Sequence, residues 1–232
     1  MYRLHYAPDN ASLIVRLALE ELGQPYETAL VDRATRAQDS AAFRALNPVG
    51  VIPVLETPVG PLSETGAILL WLSETHGSLA PLPCAPDRGV FLKWLFFVSN
   101  TVHSDLRLVF YPEKYVSGDA AAQERLHDAV TARLLRHVAL LEDLAGAGHP
   151  WFGAEAPSVL DLYVLVLLRW ARLYGPCGTG WLNLAAFARL GAMAARFEGR
   201  ASVRAAARAE GLGAAPLSRP TPCCPPEGSA LG

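Results

Sequence analysis

Cysteine is scarce in this chain and shows no pattern. Cys84, Cys177, Cys223 and Cys224 are the only four in 232 residues. That is too few to staple a fold of this size, and their spacing is not that of metal ligands, so the reading is reduced thiols and no metal. A bias of charge is equally absent. The formal net charge is −2 and only 18% of residues are charged, which removes nucleic acid and acidic membrane surfaces as expected partners. No uninterrupted apolar run approaches the roughly 20 residues that span a bilayer, and the opening MYRLHYAPDN has no apolar signal core, so the expected location is cytoplasmic. Internal repeats are lacking too. What the chain does have is apolar residues at 51%, enough for the sizeable core of one large or two small domains.

The first 77 residues alternate between the two hydrophobic periods. Tyr2 to Tyr6 has strand character, SLIVRLALEELG carries apolar residues at helical spacing and closes on Gly23, YETALVD is a second strand, and Ala34 to Leu46 is a short helix. VIPVLET and GPLS make two short strands around the turn signal Pro58 to Gly60, and ETGAILLWLSETHG is a helix. This order predicts a small α/β domain over residues 1–77, its first two strands parallel and its last two a hairpin. Residues 78–87, SLAPLPCAPD, hold three prolines that bar a continuous helix and suit a linker. Strand signals are scarce from Arg88 onward. Segments 88–116, 119–146, 158–174 and 183–210 are Leu- and Ala-rich with helical period, so residues 88–210 are expected to be all-helical. Residues 211–232 have the composition of a flexible or surface-draped tail, and the Cys223–Cys224 pair in TPCCPP is read as functionally silent.

NPVGVIPVLE is the most informative stretch. A proline at the start of a strand withdraws a ladder N–H, so Pro53 is either an edge-strand residue of no consequence or the mark of a use for the backbone around it. Ser63, Glu64 and Thr65 then open a helix. A helix start carries free N–H groups and partial positive charge and suits a carboxylate, although the same residues also make a plain N-cap. Ser158 and Asp161 form an S-x-x-D capping pair ahead of a later apolar run. In this order the three segments resemble the cytosolic glutathione transferase family. FLKWLFFVSNTVHSDL is similar to its bacterial beta-like class, in which the histidine faces the active site. The resemblance covers positions 1 to about 210. It implies a thioredoxin-like N-terminal domain that holds glutathione, an all-helical C-terminal domain that holds the second substrate, and a homodimer. It also implies a site: Pro53 follows a cis peptide, Ile52 with neighbouring Val51 pairs its backbone with glutathione, Glu64 takes the γ-glutamyl ammonium and Thr65 its carboxylate, with Tyr6 and Arg36 also reaching the tripeptide.

Glutathione transfer needs a thiolate, and a free thiol has a pKa near 8.5. The family lowers it with a hydroxyl or thiol in the turn before the first helix, here APDNAS. Asp9 stands where serine-type members carry the hydroxyl and Ala11 where cysteine-type members carry the thiol. An ionised Asp9 beside the sulfur would oppose a thiolate. It is alternatively an N-cap of the first helix, paired with Ser12. The donors that remain are Ser12, first choice, then Asn10, then His103, which alternatively serves packing, with the positive end of the helix behind them. Aromatic residues crowd the helix that holds His103, and Phe96 stands where the class is usually polar, which points to an apolar cleft and an apolar electrophile. Three activities stay open: conjugation of glutathione to a small apolar electrophile, a glutathione-dependent disulfide reductase or isomerase, and a non-catalytic glutathione-binding or scaffold protein.

Overall fold

Residues 1–230 are described by a computed structural model. Strands β1 (Tyr2–Tyr6), β2 (Tyr26–Leu30), β3 (Val54–Thr57) and β4 (Gly60–Ser63) form one sheet in the order β2-β1-β3-β4. β1 and β2 are parallel, with Leu4 opposite Thr28; β3 runs antiparallel to both β1 and β4. The parallel pair needs a crossover, and α1 (Ser12–Glu21) supplies it. Every α1 residue from Ser12 to Leu19 is buried, because one face meets the sheet and the other meets helices of the second half. Gly23, at φ 61, closes the helix in the left-handed conformation that a side chain would resist. α2 (Ala41–Leu46) follows a single 3-10 turn at Ala37–Asp39, so the helix expected over 34–46 is split by Ser40, whose side chain caps α2. α3 (Thr65–His76) completes a thioredoxin-like unit.

Beyond the prolines the chain is helical. α4 (Arg88–Phe97) and α5 (His103–Phe110) are joined by one π-helical segment, Val98–Val102. α6 (Ala120–Ala145), α7 (Val159–Ala171), α8 (Ala188–Phe197) and α9 (Ala201–Glu210) follow. The long segment expected over 183–210 is therefore two helices, parted at Gly199 and Arg200. α7 is the central pillar, and all thirteen of its residues are buried. Its start is the capping box read from the sequence: Ser158 Oγ accepts from the N–H groups of Leu160 (3.1 Å) and Asp161 (3.3 Å), and Asp161 accepts from Ser158 N–H at 2.8 Å. Burial pushes the Asp161 carboxyl up to about 6. The linker is tied down as well, since Leu79 C=O accepts from Val159 N–H at 2.8 Å.

The tail corrects the expectation of a flexible end. Leu212 and Leu217 are buried, and Arg169 and Arg172 of the α7 region donate to the carbonyls of Pro216, Leu217, Ser218 and Thr221. Further on, Glu227 accepts from the Tyr6 hydroxyl and Ala230 C=O accepts from Asn10 and Arg33. Proline and glycine content lowers the chain's own folding tendency, but these carbonyls are needed by buried cations.

Candidate active site

A cavity of about 1050 Å³ opens between the sheet unit and the helical half. Its walls are the β1–α1 turn, the loop ahead of β3, the start of α3, one face of α4 and α5, and the end of α7. Sites for drug-sized ligands run to roughly 300–1,000 Å³, so this volume admits a tripeptide and a second molecule together.

Val51, Ile52, Pro53, Glu64 and Thr65 all line it. The Ile52–Pro53 bond is cis. Val51 C=O is taken by the Asn47 side chain at 2.8 Å, whereas Ile52 N–H and C=O have no intramolecular partner among the described residues. Ile52 thus offers one donor and one acceptor to an extended peptide, as a sheet edge does. Glu64 is the residue before α3, and its side chain makes no cap, so the first N–H groups of α3, at the cavity wall, have no partner among the described residues. Glu64 has φ 68 and Asp9 φ 50. Two non-glycine residues in the left-handed region at one cavity are strain of the kind that clusters at binding sites.

The β1–α1 turn departs from the sequence reading. Asp9 does not cap α1; its buried carboxylate accepts from Arg169 Nε (2.9 and 3.1 Å) and NH2 (2.7 Å), from Trp170 Nε1 (2.8 Å) and from the Tyr174 hydroxyl. The charge that was expected to oppose a thiolate is neutralised by α7. Ser12 corrects a second expectation: it is fully buried, donates to Ala7 C=O (3.1 Å) and accepts from Ala7 N–H (3.3 Å), and so ties α1 to the end of β1 rather than facing the cavity. Asn10 and Ala11 do face the cavity. Asn10 Oδ1 accepts from Arg33 at 3.1 Å, and Arg33 also donates to the Tyr111 hydroxyl at 3.1 Å, with no carboxylate partner among the described residues. Arg33, which the sequence reading passed over for Arg36, is the cavity's cation on this side. Arg36 points away, exposed and paired with Asp39, and Tyr6 is buried against Glu227. Neither lines the cavity.

His103 lines the opposite wall, the first residue after the π-helical segment. The extra residue in that turn re-aims the helix face, a common device at functional sites. Its Nδ1 and the Tyr163 hydroxyl are hydrogen-bonded at 2.8 Å, and the Thr65 side chain lies against the same hydroxyl. Burial, then the nearby Arg107 charge, pushes the imidazole down to about 4. His103 is therefore neutral at pH 7. A lowered folded value means that the unfolded chain binds a proton which the native state refuses, so stability falls as pH drops from about 6.5 toward 4, by up to about 3 kcal/mol. The His103 ring resonances are expected to stay flat between pH 8 and 5.5 in an NMR titration; an inflection near 6.5 would mean that the ring is solvated.

Cys223 comes within 4.0 Å of the Tyr174 hydroxyl, but burial and Asp9 push its thiol up, so it does not replace the missing nucleophile. Among the described residues no group of three or more His, Cys, Asp or Glu is placed to hold a metal, and no helix is long and apolar enough to cross a membrane.

A family model described as glutathione S-transferase, N-terminal domain, matches residues 4–81. Glutathione S-transferase GST-4.5 of Xanthomonas campestris pv. campestris is 30% identical over 216 residues, 90% of this chain and 99% of its own length. The chain belongs to the glutathione S-transferase family. It is a transferase enzyme. A sphingomonad glutathione S-transferase solved in complex with glutathione superposes with a TM-score of 0.71 at 31% identity, covering 91% of this chain and all of that one. A maleylpyruvate isomerase from Ralstonia is 29% identical over 164 residues, 69% of this chain and 77% of its own. Within this transferase the family model's match spans the sheet unit, including the β1–α1 turn and the Ile52–Thr65 wall of the cavity.

Proposed function

We propose that this transferase binds glutathione along Ile52 and the start of α3 and conjugates it to small electrophiles. The observation that carries the reading is the unpaired Ile52 backbone facing the same cavity as Glu64, Thr65 and the free N–H groups of α3. Glutathione has two carboxylates and one ammonium. Glu64 takes the ammonium, Thr65 with the α3 start takes the γ-glutamyl carboxylate, Ile52 pairs with the cysteinyl backbone, and Arg33 takes the glycyl carboxylate. The sulfur then lies toward the β1–α1 turn, where the N-terminal end of α1 and the neutral His103 across the cavity stabilise the thiolate; Asn10, whose amide donates to the carbonyls of Pro8 and Ala230, joins them by releasing one of these. Binding both reactants side by side supplies proximity, and these donors supply charge stabilisation.

Calorimetry with glutathione, beside a steady-state assay over a panel of electrophiles, tests the proposal. Glu64→Ala is expected to weaken glutathione by roughly 1.5–3 kcal/mol with the fold intact, because it removes a charge-assisted hydrogen bond. Unchanged affinity would return Glu64 to the role of a helix start. A second reading, glutathione-dependent isomerisation, is supported by the Ralstonia relative, and the same panel separates it by including an isomerisable cis double bond. Tight glutathione binding with no turnover on any of these would favour the non-catalytic reading.

A homodimer in the cytoplasm completes the proposal. The exposed apolar side chains of Val59, on the sheet unit, and Val90, on α4, suit a twofold contact between unlike halves, and four free cysteines suit a reducing compartment. Light scattering at micromolar concentration is expected to give twice the mass of one chain; a monomer would contradict it.

A further inference from the structure

We propose that Arg107 is the anion-binding residue of the second-substrate half of the cavity, and that the electrophile this transferase takes carries a carboxylate on an apolar body. The inference rests on the glutathione reading above and deepens it.

The cavity's charges divide unevenly. Glu64, the α3 start and Arg33 lie on the sheet-side wall and account for all three charged groups of glutathione. On the opposite wall Ser99, His103 and Arg107 follow one another at intervals of four residues, and all three line the cavity. His103 and Arg107, four apart on α5, share one face of that helix, and Ser99 precedes them in the π-helical segment. This polar row runs through surroundings made of Leu70, Phe96, Phe110 and Trp170, so the wall expected to be apolar carries a cation at its end. The Arg107 guanidinium has no hydrogen bond or ion pair among the described residues. Every other cavity-lining arginine is engaged: Arg33 is held by Asn10 and Tyr111. His103 is neutral and cannot balance a second anion, and Glu113, on the turn after α5, lines the same cavity but stands beyond 4 Å ion-pair reach. Arg107 is solvent-exposed as well as cavity-lining, so an incoming carboxylate reaches it without displacing a protein partner, and its planar fork fits the two carboxylate oxygens. The aromatic and aliphatic walls then take the rest of the molecule.

The test uses product-like ligands, so it does not depend on turnover. Calorimetry compares glutathione, S-(4-carboxybenzyl)glutathione and its benzoate methyl ester, with the unmodified enzyme, Arg107→Gln and Arg107→Lys. The unmodified enzyme is expected to bind the acid about tenfold more tightly than the ester, Arg107→Gln to lose that preference, and Arg107→Lys to keep part of it. If the unmodified enzyme binds acid and ester equally, or if Arg107→Gln keeps the preference, the inference is overturned while glutathione binding stands. If Arg107→Gln weakens glutathione and both conjugates by one common factor, Arg107 serves glutathione itself and the inference is again overturned. Failure of glutathione to bind the unmodified enzyme would overturn the functional reading beneath it.

Discussion

Arg169→Met is expected to cost this transferase about 3–5 kcal/mol of stability in urea unfolding, the range seen when one partner of a buried ion pair is removed. Both side chains of the Asp9–Arg169 pair are wholly buried. Arg169 gives Asp9 two donors in a fork, and the carboxylate's remaining capacity is filled by Trp170 and Tyr174. Methionine preserves volume but leaves an ionised Asp9 inside the protein with only neutral donors. Adding Asp9→Asn removes that orphan charge, so the double variant should recover part of the loss, with a coupling energy of about 0.5–3 kcal/mol. A loss below about 1 kcal/mol for Arg169→Met would mean that water reaches the pair. The consequence for the site is positional. Asp9 N–H is also held, by Glu210 of α9 at 2.8 Å, so the turn bearing Asn10 and Ala11 is clamped from two helices of the other half. Arg169→Lys keeps the charge and loses the fork, and is expected to raise the KM for glutathione while costing less stability than Arg169→Met.

This clamp also shows which parts of the molecule its sequence discloses. Local rules gave the four strands, the Gly23 closure of α1, and the Ser158–Asp161 capping box, because each depends on residues a few positions apart. The Ile52–Thr65 wall was legible for a similar reason: proline and a helix start announce themselves in sequence. Asp9 was misread because its partner lies 160 positions away, and a short polar residue before a helix reads as a cap. Ser12 was misread because its spacing from Ala7 folds its hydroxyl back onto β1, which periodicity does not encode. The π-helical segment before His103 was invisible because VSNTV holds no glycine or proline to mark a break in the helix. Arg33 and Arg107 carry no motif at all. Only the fold brings them to one cavity.

Deleting residues 214–232 is expected to destabilise the protein by at least about 4 kcal/mol. The buried Leu217 contributes roughly 1.5–3 kcal/mol by leaving water. The carbonyls of Pro216, Leu217, Ser218 and Thr221 are hydrogen-bond acceptors for Arg169 and Arg172, and stripping a charged donor of its partner costs about 1.5–3 kcal/mol. Burial and neighbouring Arg169 already hold the Arg172 guanidinium down to about 10, so it has little margin for losing acceptors. A shorter deletion, of residues 226–232, separates folding from the site. It spares that packing and removes, among other contacts, Glu227 from Tyr6 and the Ala230 carbonyl from Asn10 and Arg33. Stability should then change by no more than about 1–2 kcal/mol, since exposed or neutral hydrogen bonds are individually weak. Glutathione affinity should rise about 2- to 12-fold, because the carbonyl occupies donors that the glycyl carboxylate would otherwise take. An unchanged Tm for the long deletion would show that the tail does not pack in solution. Weaker glutathione binding in the short one would make the Ala230 carbonyl part of the site rather than a competitor for it.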